Sequence, residues 1–294
     1  MQNINDELLI HETVPTFIIQ YKTSEITASN FHFHSGYEIV WLKQGEAKYI
    51  FEDKVYHLTK HHVLLFKSTE FHKVSLSANS VYERVVIMFT DEFVSFDHPI
   101  LTKFKQFLDD LPSPHYVLQL FTWKAEQFEH IVDHLLREQE NNQWEQKSAL
   151  ELYFLELLLY LGREIQLSYD PKSHLSTFHA SKDIGVHERI LKEINVIWDT
   201  DWCLENLASR LHFNKYYLCH FFKKEFGITI YQYIQQRRIY EAKKMLINTN
   251  MPIHKLAKKV GFTSDSSFIR SFKNHVRMTP KKYRQTTNIP SLEF

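Results

Sequence analysis

Between residues 17 and about 90 the apolar positions come in short β-branched and aromatic runs: Phe17-Ile18-Ile19, Tyr37 to Leu42, Ala47 to Phe51, Val63 to Phe66 and Val81 to Phe89. Polar stretches such as Lys43-Gln44-Gly45 and Glu52-Asp53-Lys54 separate them and read as turns. Short, evenly spaced strands of this kind predict an antiparallel sandwich or small barrel. The period then becomes helical. Phe128, Ile131, Val132, Leu135 and Leu136 recur at i, i+3, i+4, i+7 and i+8, one stripe to bury. In the next helix Leu150, Tyr153, Phe154, Leu157, Leu158 and Leu161 make one stripe, and Leu152, Leu155 and Leu159 a second. A helix apolar on two faces needs a partner for each, and two arrangements satisfy that: a dimer seam, or a helix wedged between neighbouring domains. Residues 168 to 185 lose periodicity and carry Pro171, Ser173, Ser176 and Ser181, the composition of a linker. From Glu188 to about Arg284 the pattern is helical with short breaks, and Thr286 to Phe294 reads as a loose tail.

These patterns predict an α+β chain: an N-terminal antiparallel β-barrel with packed helices, then an all-α domain. The expected boundaries are 1–100 for the barrel, 101–167 for a helical dimerisation region, 168–186 for the linker and 187–285 for the C-terminal domain.

The C-terminal part contains the same text twice. Leu207-Ala208-x-x-Leu211-x-Phe213 recurs as Leu256-Ala257-x-x-Val260-Gly261-Phe262 at an offset of 49. Leu218-x-x-x-Phe222-Lys223 recurs as Phe268-x-x-x-Phe272-Lys273, and Thr229 and Tyr233 as Thr279 and Tyr283, all at an offset of 50. Two helix-turn-helix units in tandem, differing by one residue in the turn, account for both offsets.

In the first unit Leu204, Leu207, Ala208 and Leu211 face inward, Phe213-Asn214 makes the turn, and Gly227 closes the second helix. Once Leu218 and Phe222 are taken as core, Lys215, Tyr216, Cys219 and His220 remain outside, where a recognition helix enters a major groove. In the second unit Pro252 suits a first helical turn, Ile253, Leu256, Ala257 and Val260 face inward, and Ser264 or Asp265 caps the next helix. Ser266, Ser267, Ile269 and Arg270 are left outward, Arg270 with the reach for a bidentate contact to guanine. Lys223, Lys224, Lys273 and the Lys281-Lys282-Arg284 cluster have the chemistry of phosphate contacts.

Charge agrees with that division. The chain as a whole is neutral, but residues 186–294 hold 19 Lys and Arg against 9 Asp and Glu, and residues 1–185 hold 16 against 26. An acidic half joined to a basic half fits a sensor joined to a nucleic-acid binder. Only two cysteines, Cys203 and Cys219, are present, with no CxxC spacing, which argues against a disulfide framework and for a reducing cytosol. Residues 1–7 lack a basic-then-apolar leader pattern, and Leu150–Leu161, interrupted by Glu151 and Glu156, is too short to span a bilayer. The expected location is cytoplasmic.

Residues 188 to 284 resemble the DNA-binding domain of the AraC/XylS transcription regulators. The resemblance is carried by Leu207-Ala208, Leu218, Phe222-Lys223, Gly227, Tyr233, Arg238, Ala242, Leu246, Thr249, Ile253, Leu256-Ala257, Gly261-Phe262, Phe268, Phe272-Lys273, Thr279-Pro280 and Tyr283-Arg284. It implies a central helix over about Ile230 to Asn248 joining the two units, so that both recognition helices reach successive faces of the major groove. It also implies double-stranded DNA and RNA polymerase as partners. Arg277 departs from the pattern, standing where the first repeat has Gly227. That means either a different helix end or an arginine held in the left-handed region at a cost of about 1 kcal/mol.

In the N-terminal half His32-Phe33-His34-x3-Glu38-x6-Gly45 is followed by His72. Histidines at i, i+2 share one strand face, and with Glu38 and His72 they offer three nitrogens and one oxygen, an ordinary ligand set for zinc, iron or manganese. The spacing resembles the first cupin motif. The second is degraded, with Lys67, Thr69 and Leu76 where proline, glycine and asparagine are usual. The resemblance implies a cupin-like barrel that binds a small molecule, a sugar being one class, without metal. The candidate effector-binding residues are His32, His34, Glu38, Trp41, Tyr49, Phe66, His72 and Tyr82, with Tyr37 and Phe51 beside them. No cofactor is required by this reading; a metal held by His32, His34, Glu38 and His72 is the alternative. His130 and His134, at i, i+4, read as an ordinary solvated face.

The expected function is therefore a sequence-specific regulator of transcription, an activator, that binds a small effector, pairs as a homodimer and has no membrane partner. It is not expected to be an enzyme. The rival readings are a metal-dependent cupin enzyme or metal sensor fused to a DNA-binding domain, and a constitutive DNA binder whose barrel is only a scaffold.

Overall fold

The computed structural model describes residues 16–23, 31–34, 36–67, 70–76, 81–90, 93, 99–110, 114–141, 143–168 and 182–287. The leader-pattern residues 1–7, Thr69, most of the expected linker and the tail from 288 lie outside the described residues. The chain divides into two compact units, residues 1–49 with 56–179, and residues 50–55 with 180–294.

The first unit is built on a seven-stranded sheet. Its strands are β1 (Phe17–Thr23), β2 (Tyr37–Ile50), β3 (Val55–Thr59), β4 (His62–Lys67), β5 (Lys73–Ser75), β6 (Tyr82–Phe89) and β7 (His115–Gln119). The order is β1-β6-β2-β4-β7, with β3 and β5 pairing β2. The β1–β6, β2–β6, β2–β4 and β4–β7 ladders are antiparallel. Among the described residues no ladder joins β1 to β7, so the expected closed barrel is an open sheet.

Lys43-Gln44-Gly45, read from sequence as a turn, lies inside one long strand. The register shifts there between Leu42 and Gln44, a bulge that bends β2. Gly45 has φ +90, and a Cβ on it would sit 1.7 Å from the Val81 carbonyl oxygen, so only glycine fits. Strand β7 falls in a stretch expected to be helical. Edge strand β1 is blunted by a side chain: Gln139 accepts from the Ile19 N–H (2.8 Å) and donates to its carbonyl (2.6 Å).

Three helices, α1 (Pro99–Asp109), α2 (Thr122–Glu140) and α3 (Gln146–Ser168), cover one face of the sheet. The core there joins Ile19, Tyr37, Ile39, Trp41, Val63, Leu65, Val85, Ile87 and Phe89 to Phe128, Val132 and Leu135 of α2 and to Phe154, Leu157, Leu158 and Leu161 of α3. That is the first apolar stripe of each helix. On the second stripe of α3, Leu152 is 66% and Leu159 39% exposed. His130 and His134 are exposed, as expected.

The second unit contains α4 (Lys182–Ile197), α5 (Leu204–Leu211), α6 (Lys215–Phe226), α7 (Ile230–Asn248), α8 (Ile253–Lys259), α9 (Asp265–Val276) and α10 (Pro280–Thr287). Helix α7 starts at a capping box in which Thr229 and Gln232 satisfy each other's backbone N–H groups. It is buried on several faces: Ile230, Tyr233 and Ile234 near its start, Ile239, Ala242 and Leu246 further on. The latter group packs with Leu256, Ala257, Val260, Phe262, Phe268, Phe272, Val276 and Tyr283 as one core.

Candidate nucleic-acid interface and ligand site

The internal repeat of the sequence is a repeat of geometry. Phe222 meets Tyr233 edge-on with ring centroids 5.7 Å apart at 77°, and Phe272 meets Tyr283 at 5.5 Å and 75°. The turn closes by Phe213 N–H to Ala208 O at 2.9 Å in one unit and by Phe262 N–H to Ala257 O at 3.0 Å in the other. The helices that follow end with Gly227 N–H on Lys223 O and Arg277 N–H on Lys273 O, both 2.9 Å.

The one-residue difference in offset is Thr263. Asn214, the N-cap of α6, follows Phe213 directly and accepts from Tyr216 N–H (2.9 Å). Ser264, the N-cap of α9, follows Phe262 with Thr263 between, and accepts from Ser267 N–H (3.2 Å). Pro252 is the residue before α8 rather than its first turn. The left-handed positions are interchanged between the units. The first has His212 (φ 57) in its turn and Gly227 (φ 71) after α6; the second has Gly261 (φ 81) in its turn and Arg277 (φ 61) after α9. Helix α9 therefore ends as α6 does, with arginine in the strained place.

On α6, Tyr216, Cys219, His220 and Lys223 are exposed, Tyr216 by 75%, and Lys215 is half-buried. Lys215 is tied to Glu205 of α5 at 3.1 Å, so it also links the two helices. On α9, Ser266, Ser267, Ile269, Arg270 and Lys273 are all exposed. Arg284, expected on phosphate, is turned to the protein instead: Nη2 donates to Met251 O at 2.6 Å and Nε to Leu246 O at 3.4 Å, fastening α10 to the end of α7. A charge in the sequence does not tell whether a backbone carbonyl waits for it.

Arg238, one of the residues of the family pattern, serves the interior of the domain. It is buried in α7, where Nε donates to Trp198 O (2.6 Å) and Nη2 to Thr200 O (2.8 Å), and its guanidinium lies 5.6 Å over the Phe262 ring. It joins the turn that leads into the first unit to the turn inside the second. Burial lowers its pKa, with Tyr231, Asp199 and Asp201 opposing that effect.

In the first unit of the chain, strand register sorts the candidate ligand residues. Glu38 pairs with Phe66 and Met88, and Val40 with Leu64 and Val86. These therefore share one face, as do Tyr82 and Arg84 further along β6. Tyr37, Ile39 and Trp41 occupy the other. Trp41 meets Phe128 of α2 edge-on at 5.3 Å, and Tyr37 stacks on Phe89 at 5.1 Å. Trp41 and Tyr37 thus belong to the helix-covered core, away from the remaining candidates.

The other seven candidates come together. A two-bond bridge (His32 N–H to His72 O and His72 N–H to His32 O, both 2.9 Å) brings the histidine segments side by side. The coordinating atoms of His32, His34 and His72 all lie within 4.8 Å of one another. His34 Nε2 is 2.9 Å and His72 Nε2 3.9 Å from Glu38 Oε2. Burial alone would raise the Glu38 carboxyl, but the hydrogen bond from His34 and the nearby imidazoles of His34, His72 and His32 outweigh it and hold the group at about 2. Burial, with the neighbouring His32 and His34 imidazoles, pushes His72 well below its ordinary value, against the opposing Glu38 carboxylate. Its Nδ1–H donates to Glu70 O at 2.7 Å, which leaves the lone pair on Nε2.

Phe66 lies 4.8 Å from the His72 ring and 6.5 Å from Tyr49. Tyr49 and Tyr82 share a hydrogen bond of 2.6 Å between hydroxyls, and burial drives the Tyr49 hydroxyl well above its usual range. Arg84, which sequence reasoning passed over, is 5% exposed, with its guanidinium 4.3 Å over the Tyr82 ring. Its place opposite Leu42 on the sheet, readable only once the register is known, would have found it.

A ligand-binding sheet followed by two tandem helix-turn-helix units defines a class, the one-chain regulators that join a sensing domain to a DNA-reading one. Family comparisons agree at both ends. The AraC-like ligand binding domain model matches residues 16–158, and a helix-turn-helix domain model matches residues 207–286. The multiple antibiotic resistance protein MarA of Escherichia coli is 40% identical over 103 residues, 35% of this chain and 80% of MarA. The chain belongs to the AraC family of DNA-binding transcription regulators and carries that family's ligand-binding domain. An HTH-type transcriptional regulator of Bacillus subtilis, YtdP, is 36% identical over 101 residues, 34% of this chain but only 13% of YtdP. The crystal structure of ToxT from Vibrio cholerae aligns over 95% of this chain and 100% of its own, at 16% identity and a TM-score of 0.37. No described helix is long and apolar enough to cross a membrane.

Proposed function

We propose that this protein is an effector-controlled activator, acting in the cytoplasm, that binds tandem promoter half-sites and contacts RNA polymerase. The observation that carries the reading is the matched pair of units, one core geometry twice over, with unlike outward faces. Tyr216, Cys219 and His220 would read one half-site, and Ser266, Ser267, Ile269 and Arg270 the other. Lys223 and Lys273 would hold phosphates and set register.

The effector would sit on the sheet face that carries Glu38, Phe66, Tyr49, Tyr82 and Arg84. Hydroxyls and a guanidinium beside aromatic rings suit an oxygen-rich molecule such as a sugar. Its control of DNA binding requires different affinities for two states of the protein, and nothing else can supply it. The exposed Leu152 and Leu159 stripe of α3 supports pairing with a second copy; Leu152→Lys should then shift the sedimentation coefficient toward that of a monomer. The reading includes no enzymatic reaction, and metal-dependent turnover by the purified protein would contradict it.

The test is in vitro transcription from the protein's own selected site, with and without a metabolite extract. Stimulation that depends on both the site and the extract supports the reading. Repression, or stimulation indifferent to the extract, overturns the activator or the effector part respectively.

A further inference from the structure

We infer that His32, His34, His72 and Glu38 form a binding site for one divalent first-row transition-metal ion. The inference deepens the reading of this sheet as the ligand-binding domain.

The argument is geometric. Three imidazoles from two segments bring their coordinating nitrogens within 4.8 Å of one another, and the Glu38 carboxylate of a third segment lies beside His34 and His72. His34 and His72 are buried, and the main-chain bridge between His32 and His72 fixes the two segments that present them. Nitrogen and oxygen ligands of a tetrahedral ion stand roughly 3.4 Å apart, given metal–ligand distances of about 2.0–2.1 Å. The separations of 2.9 and 3.9 Å from Glu38 Oε2 lie on either side of that value.

His72 shows the second-shell pattern of a metal ligand. Its Nδ1–H is committed to the Glu70 carbonyl, which orients the ring and turns the Nε2 lone pair toward the Glu38 carboxylate. A cation held between His72 Nε2 and Glu38 Oε2, 3.9 Å apart, would bond to both. At His34 the cation would take the place of the Nε2 proton that now bridges to Glu38, with the neutral ring carrying its hydrogen on Nδ1. Three neutral nitrogens and one anionic oxygen select the borderline ions, zinc, iron(II), cobalt(II) or manganese(II), over calcium or magnesium.

The test uses the full chain, stripped with a chelator, then titrated with Zn²⁺ by calorimetry and with Co²⁺ by visible absorption. The expected result is one equivalent of Zn²⁺ and one Co²⁺ spectrum characteristic of nitrogen and oxygen ligation. Both His34→Ala and His72→Ala should weaken binding by at least ~100-fold, more than loss of a second-shell partner does. Glu38→Gln, near-isosteric, guards against simple misfolding: it should keep the far-ultraviolet circular dichroism of the parent and still lose metal affinity. No binding by the parent chain, or one equivalent retained in the folded variants, overturns the site. DNA binding measured on the same samples keeps this test separate. Operator binding without metal binding overturns only the metal site, and metal binding without operator binding overturns only the regulator reading.

Discussion

Replacing Arg238 by methionine should loosen both DNA-reading units at once. The side chain donates two charge-assisted hydrogen bonds, to Trp198 O at 2.6 Å and Thr200 O at 2.8 Å, and covers the Phe262 ring. Such bonds are worth roughly 1.5–3 kcal/mol each. Removing the guanidinium also removes its desolvation penalty, several kcal/mol for a buried ion. Trp198 is only half-buried and Thr200 exposed, so water can recover part of what their carbonyls lose. The net loss should be about 2–3 kcal/mol. For a domain of roughly 100 residues that lowers the unfolding temperature by roughly 10–20 °C. Scanning calorimetry of the full chain reads the C-terminal transition, and fluorescence anisotropy reads DNA affinity. Arg238→Lys keeps the charge but not the fork, and should recover less than half of the loss. An unchanged C-terminal transition in Arg238→Met, or DNA affinity lost for one half-site alone, would refute the reasoning.

Other outcomes follow from the same geometry. Arg270→Ala should cost ~1–3 kcal/mol of DNA binding and relax specificity at one base position, whereas Lys273→Ala should weaken all sequences evenly and flatten the salt slope by about 1; anisotropy over a salt series separates the two. Arg277→Gly and His212→Gly relieve left-handed strain at φ 61 and 57, and each should stabilise by up to about 1 kcal/mol in urea unfolding; destabilisation by either would show that its side chain holds a contact worth more than the strain. Trp41→Ala should cost about 3–5 kcal/mol of stability in the sheet unit while leaving Zn²⁺ affinity unchanged at a temperature where the variant is folded, since its ring packs on Phe128.

The helical half was legible because each buried stripe repeats at helical spacing and appears twice. The offsets of 49 and 50 placed an extra residue in the second turn, and Thr263 is that residue. What the sequence hid in this half was the destination of charge: Arg284 looked like Lys281 and Lys282 beside it, and Arg238 carried no sign of the carbonyls it serves. The sheet was legible in part. Its strong strands stood out, but Lys43-Gln44-Gly45 has the composition of a turn and is a bulge inside β2. Strands β3, β5 and β7 are five residues or fewer, too short for period two to declare itself. Tyr37 to Leu42 is buried at every position, so alternation could not say which side chains face the helices. Trp41 is therefore indistinguishable in sequence from the ligand candidates, and the face of Arg84 is fixed only by its register opposite Leu42. The histidine cluster, by contrast, was visible because i, i+2 spacing survives any uncertainty about the sheet.

The central claim is that one chain reads DNA with two unlike heads in fixed order. Selection of duplexes from a random pool by the full-length protein, followed by sequencing, tests it directly. The account predicts an enriched site of two different blocks centred about one helical turn, ~10 base pairs, apart, one of which loses its information in Arg270→Ala. No enrichment over the starting pool, two identical inverted blocks, or a site untouched by Arg270→Ala would contradict it.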